Sequence, residues 1–91
     1  MAFMLMQFEV EDFDSWKQTF DSDPAGRREV AKGHQIFRAV DDPNQVFVAT
    51  EYGSAEDAKA VRERLLDSGV LDNFTVKTEP TITELADSER Y

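Results

Sequence analysis

The sequence contains no cysteine among its 91 residues and only one histidine, His34. Disulfide bonds, thiolate nucleophiles and cysteine metal sites are therefore excluded. A transition-metal site would have to be completed by carboxylates alone, and no serine lies in the context that a hydrolase triad needs. The four glycines are isolated in the sequence, so no glycine-rich phosphate-binding loop is present. We expect neither a metal nor a cofactor.

Basic residues are also scarce, because ten Lys and Arg face 19 Asp and Glu and leave a formal net charge of −9. Such a surface repels phosphate backbones, so nucleic-acid binding is not expected. The acidity is typical either of a salt-rich environment or of ordinary solubility. No apolar run approaches the roughly 20 residues of a membrane span. The opening MAFMLMQFEV meets acidic residues at once and predicts a strand, and we expect a cytoplasmic protein without a membrane partner.

The chain length fits one domain, which we place at residues 1–85, followed by a flexible polar tail at 86–91. A domain of this size buries only about 60–65% of its unfolded surface. Its stability margin is therefore thin, and association with a second copy would widen it.

A β-hairpin is the clearest local pattern. Alternating runs at Gln35–Val40 and Val46–Tyr52 flank the turn-forming residues Asp41–Asn44. A calcium loop would need about six oxygen ligands over a longer segment, so the acidic turn residues predict a turn alone. A helical pattern and then another strand pattern lie on each side of the hairpin, which gives the order β-α-β-β-α-β.

The first strand, at residues 2–10, is apolar on both faces near its start. Met4 and Met6 share one face, and Phe3 and Leu5 share the other. This pattern is typical of a central strand that is covered on two sides. Two helices can supply one layer, and we expect a partner subunit to supply the other.

Two helices are predicted. The first has Asp12 as N-cap and an apolar stripe of Phe13, Trp16 and Phe20. We expect it to break and restart at Asp23-Pro24, to continue over 27–32 and to stop at Gly33. The second begins after a capping box at residues 54–57, buries Ala58, Val61 and Leu65, and ends at Ser68-Gly69. Two strands at 74–78 and 81–85 follow, separated by Pro80, which marks an edge, a bulge or an exit.

The chain resembles the dimeric α/β-barrel superfamily, the ferredoxin-like homodimers that include antibiotic-biosynthesis monooxygenases and polyketide cyclases. The resemblance spans residues 3–85 and rests on FDSWK…F at 13–20, GHQIFR at 33–38, DDPNQV at 41–46, and EY and SAEDA at 51–58. It implies an α+β sandwich with a four-stranded antiparallel sheet, helices on one face, and a homodimer whose sheets face each other. In such homodimers the last strand often reaches across to the partner subunit, and the resemblance implies that residues 81–85 would be that segment here.

The resemblance also implies a pocket between each sheet and its own helices, lined by Met4, Met6, Phe13, Trp16, Phe20, His34 and hairpin residues. The activity it implies is a cofactor-independent monooxygenase or cyclase that acts on an aromatic or polyketide-type molecule. The haem-degrading branch carries a histidine on its second helix, which this chain lacks.

The candidate site residues have distinct roles. His34 and Arg38 are the candidate catalytic residues, the first for proton transfer and the second for balancing an enolate. The candidate ligand-binding residues are Trp16, Tyr52, Phe13, Phe20 and Met6. Each also fits a structural role; Trp16 fits plain core packing, and Arg38 and Glu51 could pair across the hairpin. The alternative function is a non-catalytic dimeric small-ligand-binding or accessory protein.

Overall fold

The computed structural model describes all 91 residues as one four-stranded sheet and two helices. The strands are β1 (Ala2–Glu9), β2 (Ala31–Arg38), β3 (Gln45–Tyr52) and β4 (Thr75–Glu84), and the helices are α1 (Phe13–Asp21) and α2 (Ala55–Ser68). Short 3₁₀ turns at Arg27–Glu29 and Val70–Asn73 complete the chain. The predicted order β-α-β-β-α-β and the ferredoxin-like fold class are confirmed.

The sheet is antiparallel throughout, in the order β2-β3-β1-β4, so β1 is a central strand as predicted. Met4 of β1 lies between Thr50 of β3 and Ile82 of β4. Segment 81–84 thus pairs with β1 of its own chain. Neither helix is both long and apolar enough to cross a membrane.

The hydrophobic core lies between the sheet and the helices. Alternate residues of β1 and β3 point into it and meet one side of each helix. Its most buried members, each at most 8% exposed, include Ala2, Met4, Met6, Phe8, Trp16, Val46, Val48, Tyr52, Ala58 and Val61. The predicted apolar stripe of α2 is thus confirmed at its first two positions.

The predicted N-caps of both helices, the end of α2 and the hairpin turn are confirmed. The Asp12 carboxylate accepts a hydrogen bond from the Asp14 amide at 3.1 Å, and the Ser54 hydroxyl accepts one from the Asp57 amide at 3.1 Å. Gly69 ends α2 with a φ of 73°, a left-handed conformation that costs glycine little. In the turn, the Asp42 carboxylate accepts from the Asn44 amide at 3.1 Å.

The predicted second half of the first helix is wrong. Residues 27–29 form a single 3₁₀ turn, β2 begins at Ala31, and Gly33 lies inside that strand. Val30 is 37% exposed, so no buried stripe continues from α1. The pairing of β2 with β3 provides hydrogen bonds for the backbone N–H and C=O groups of this segment. This strand pairing overrides the local preference of the sequence for a helix.

Pro80 marks a bulge within one strand rather than a boundary between two. Leu5 lies opposite Thr81, but Gln7 lies opposite Thr78, so Glu79 and Pro80 together occupy the place beside Met6. Because β4 is an edge strand, the missing N–H of Pro80 breaks no ladder. The chain beyond β4 is exposed and has no regular secondary structure over 86–91.

The sheet face opposite the helices is uncovered and carries an apolar patch. Leu5 is 40% exposed, Phe47 39% and Phe37 53%, and Phe37 lies directly opposite Phe47. The molecule is a flat slab of 37 × 32 × 18 Å. Its accessible surface of 6034 Å² exceeds the about 5,400 Å² expected for a monomer of 10.4 kDa.

Candidate functional site

A chamber of about 60 Å³ lies between the sheet, the two helices and the loop that follows α1. Its wall is mostly apolar and is formed by Met4, Met6, Phe8, Trp16, Thr19, Phe20, Asp23, Pro24, Ala25, Arg27, Thr50, Tyr52, Val61, Leu65, Val70, Leu71 and Phe74. An apolar chamber with a few polar groups is the usual form of a small-molecule site. It is therefore the candidate functional site.

Aromatic side chains of α1 and β1 build one wall of the chamber. Trp16 stacks on Phe20, with ring centroids 5.3 Å apart and planes 23° apart, and lies 5.5 Å from the ring of Phe8. Trp16 and Phe20 share this wall because they are four residues apart on one helix. The wall offers flat π faces to anything that enters.

Tyr52 contributes a buried phenol to the chamber. Its side chain lies at the end of β3, its residue is 0% exposed, and its hydroxyl has no hydrogen-bond partner. Burial raises the pKa of Tyr52 to about 12, and the positive charge of Arg27 acts in the opposite direction. The hydroxyl therefore stays protonated at neutral pH and is available as a hydrogen-bond donor.

Arg27 contributes a buried guanidinium to the same wall and is 7% exposed. Its Nη1 donates to the Phe20 carbonyl at 2.8 Å and to the Asp23 carboxylate at 3.0 Å, and the group lies 3.6 Å above the Phe20 ring. Its Nη2 is buried without a partner. Desolvation lowers the pKa of Arg27, and Asp23 opposes that effect.

Asp23 fixes the loop that carries Arg27. It is the only residue other than glycine with a positive φ, 58°, a conformation that aspartate tolerates better than most residues. Its carboxylate accepts from the backbone amides of Arg27 at 2.9 Å and Arg28 at 3.2 Å, in addition to the guanidinium. One partly buried carboxylate therefore sets both the backbone of this loop and the position of the arginine.

Replacing Tyr52 with phenylalanine should stabilise the protein near neutral pH by about 1 kcal/mol, because it removes a buried hydroxyl that has no partner. The gain should grow at alkaline pH. Tyrosine ionises near pH 10 in the unfolded chain but near 12 in the folded one, so wild-type stability falls as pH rises through this range. Urea unfolding at pH 7 and pH 11 measures both effects, and a loss of stability in Tyr52→Phe at pH 7 would contradict the unpaired hydroxyl.

His34 and Arg38 do not line the chamber. Both lie on the helix-facing side of the edge strand β2, opposite Thr50 and Val46. His34 is exposed and touches the edge of Phe20, with ring centroids 5.0 Å apart. Its pKa is lowered, first by partial burial and then by the positive charge of Arg27.

Arg38 is held outside the chamber by the hairpin turn. Its Nε donates to the Pro43 carbonyl at 2.9 Å, and its guanidinium lies 4.2 Å from the centre of the Phe13 ring. The predicted pairing of Arg38 with Glu51 is wrong, because Glu51 lies opposite Gly33, at the far end of the hairpin and on the other face of the sheet.

The remaining site residues from the sequence divide into two groups. Met6, Trp16, Phe20 and Tyr52 lie together in the chamber wall, and Met4 joins them. Phe13 packs on Trp16 from outside the wall, with ring centroids 5.8 Å apart.

Sequence reasoning missed the two charged residues of the chamber, Asp23 and Arg27. Their local signal was interpreted as a helix restart, since Asp23-Pro24 is a good cap and a typical first-turn pair. The carboxylate does cap a turn, but that turn is only three residues long. Nothing in the spacing alone indicated that the arginine would fold back under Phe20.

A second, open groove of about 480 Å³ lies at one end of the sheet and is mostly polar. Its acidic residues are Glu9, Glu11, Asp12 and Asp72. No group of three or more His, Asp or Glu side chains is arranged to hold a metal ion.

Known structures share this architecture. A candidate antibiotic biosynthesis monooxygenase from Nitrosomonas europaea superposes with a TM-score of 0.67 at 16% identity, over 96% of this chain and 100% of the other. A second antibiotic biosynthesis monooxygenase gives 0.66 at 13% identity, over 98% of this chain and 100% of the other. A dimeric ferredoxin-like protein from an uncultured marine organism gives 0.60 at 15%, with both chains fully covered.

No protein-family profile matches the chain, and no curated protein is significantly similar to it. At 13–16% identity, the structural matches define the fold and not an activity. The chain thus shares its ferredoxin-like fold with proteins described as antibiotic biosynthesis monooxygenases, and it has a mostly apolar chamber between its sheet and its helices.

Proposed function

We propose that the chain is a homodimeric small-molecule-binding protein whose chamber takes one aromatic molecule. The observation that supports this best is the combination of an aromatic wall with two unpaired buried donors, on Arg27 and Tyr52. A purely structural core would gain stability by pairing or losing such groups. Their retention is expected where a ligand supplies the missing partner.

The size of the chamber favours a single aromatic ring over a fused polyketide. Its volume of about 60 Å³ is below the 300–1,000 Å³ typical of ligand sites and below the roughly 150 Å³ that accepts benzene. Met4 and Met6 lie in the wall, and methionine side chains change rotamer easily. We therefore infer that the Met4 and Met6 side chains change rotamer and enlarge the chamber when the ring enters.

The uncovered sheet face supports the homodimer. Its apolar side chains lie in adjacent rows across β2, β3 and β1, where Phe37 faces Phe47 and Ala49 faces Leu5. Contiguous apolar surface of this kind is characteristic of subunit interfaces. The fold is shared with a protein described as dimeric. The absence of cysteine is consistent with a cytoplasmic location, which we include in the proposal.

Filling the chamber should abolish binding. Leu65 of α2 lines the chamber, whereas its neighbour Leu66 is 54% exposed and does not. In a thermal-shift screen of single-ring aromatics, wild-type protein and Leu66→Phe should show the same hits, and Leu65→Phe should lose them. Equal shifts in both variants would place the ligands elsewhere and refute the chamber.

A second candidate function is a cofactor-independent monooxygenase or cyclase that acts on an aromatic or polyketide-type molecule. It is favoured by the likeness in fold to proteins described as antibiotic biosynthesis monooxygenases. The two donors could stabilise a developing enolate. His34 contacts Phe20 from outside and would need wall movement to transfer a proton. Oxygen uptake with each hit from the screen tests the monooxygenase, and chromatography of the same mixtures for a cyclised product tests the cyclase, each in wild type and His34→Ala. No uptake and no product with any hit would leave the binding function.

A further inference from the structure

We propose that the chamber selects its ligand by an oxyanion, the ionised oxygen of an aromatic phenol or enol, which accepts hydrogen bonds from Arg27 Nη2 and Tyr52 Oη. This inference rests on the proposed function, because it names the class of molecule that the chamber would take. It assigns Arg27 and Tyr52 as specificity-determining residues, and it assigns no chemical step to them.

The two unpaired atoms have the same chemistry. The buried side-chain atoms without partners are Nη2 of Arg27 and the hydroxyl of Tyr52, and both residues line the chamber. The guanidinium can only donate, and the phenol is protonated at neutral pH. A ligand therefore satisfies both by presenting an acceptor, and an anionic oxygen accepts about twice as strongly as a neutral one.

The guanidinium is held in one orientation by its other contacts. Its Nη1 is fixed by the Phe20 carbonyl and by Asp23, and its central carbon lies 3.6 Å from the centre of the Phe20 ring. The ligand would add one hydrogen bond to a group whose orientation is set before binding. Such preorganisation reduces the entropy that binding would otherwise lose.

The local charge also favours an anion. The charged groups that act on Arg27 and Tyr52 are the cations Arg27, Arg28 and Arg64 and the anions Asp21 and Asp23. Three arginines thus concentrate positive charge at this part of a protein whose net charge is −9, and Asp21 is already paired with Lys17 at 2.8 Å. An oxyanion would balance that charge in surroundings where the apolar wall weakens screening.

The loop around Gly26 brings one of these cations close. Gly26 has a φ of 65°, and a Cβ built there would lie 3.7 Å from Nη1 of Arg64 on α2. The exposed Arg64 guanidinium therefore lies over the backbone of the loop that carries Arg27. It is positioned to attract an anion towards this part of the molecule.

The test compares 4-nitrophenol, which ionises near neutral pH and whose phenolate is coloured, with its methyl ether, 4-nitroanisole, which cannot ionise. Calorimetry measures the affinity of each, and absorbance reports the ionised fraction of bound nitrophenol. We expect wild-type protein to bind nitrophenol at least tenfold more tightly than the ether. We also expect the pKa of the bound phenol to fall by about one unit, which corresponds to a tenfold preference for the phenolate over the neutral phenol.

Tyr52→Phe and Arg27→Met should each lose about tenfold in nitrophenol affinity, keep their affinity for the ether, and return the pKa of the phenol towards its free value. Arg62→Met is the matched control, because Arg62 neither lines the chamber nor is among the charged groups that act on Arg27 and Tyr52. If Arg27→Met does not fold, Tyr52→Phe decides the result, since it removes only an unpaired hydroxyl.

The possible failures are distinguishable. Equal affinity for nitrophenol and its ether, unchanged in both variants, would overturn the oxyanion subsite and leave the aromatic chamber intact. Binding of neither compound, together with no hits in the thermal-shift screen, would overturn the proposed function itself.

Discussion

Replacing Leu5 with glutamate should convert the proposed homodimer into a monomer. Leu5 lies on the central strand β1 and is 40% exposed in the middle of the uncovered face, between Ala49 and Thr81. In a dimer that buries this face, two carboxylates related by symmetry would be desolvated without partners, at a cost of several kcal/mol. The dimer affinity should therefore fall by at least about a hundredfold.

Light scattering coupled to size exclusion measures this directly. Wild-type protein should have twice the 10.4 kDa mass of one chain, and Leu5→Glu should have that of one chain. Leu66→Glu is the matched control, because it makes the same change at a leucine that is 54% exposed on α2. A wild-type protein with the mass of one chain would refute the homodimer, and the uncovered apolar face would then need another partner.

Replacing Asp23 with alanine should lower the free energy of unfolding by about 3–5 kcal/mol, the usual cost of removing one partner of a buried ion pair. The Asp23 and Arg27 side chains are 17% and 9% exposed, so the guanidinium would stay buried with only the Phe20 carbonyl as acceptor. Two backbone amides would lose their acceptor as well. Alanine also tolerates the φ of 58° less well than aspartate.

Asp23→Asn separates these contributions. Asparagine keeps the tolerance for a left-handed backbone and one acceptor oxygen, but it removes the negative charge. Asp23→Asn should lose about half as much free energy of unfolding as Asp23→Ala, as measured by urea unfolding. A change within about 0.5 kcal/mol for Asp23→Ala, the range of an ordinary surface substitution, would show that the ion pair does not stabilise the loop.

The candidate site was only partly predictable from sequence. Trp16, Phe20 and Met6 could be predicted as site residues, because helical and strand periodicities fix which side chains face the core. Tyr52 was assigned to the same site, but its unpaired hydroxyl depends on what surrounds it. The sequence predicts His34 as a catalytic residue because it is the only histidine, but its position on an edge strand leaves it outside the chamber wall.

The sequence by itself determined the order of the elements, the hairpin turn and the helix caps. These depend on contacts between residues that are close along the chain, such as Ser54 with Asp57. Only the tertiary structure decided that residues 31–32 join β2 instead of a helix, because strand pairing with β3 brings together residues far apart in sequence. The same holds for Arg27 and Tyr52, whose burial in one wall follows from packing between elements that local pattern does not encode.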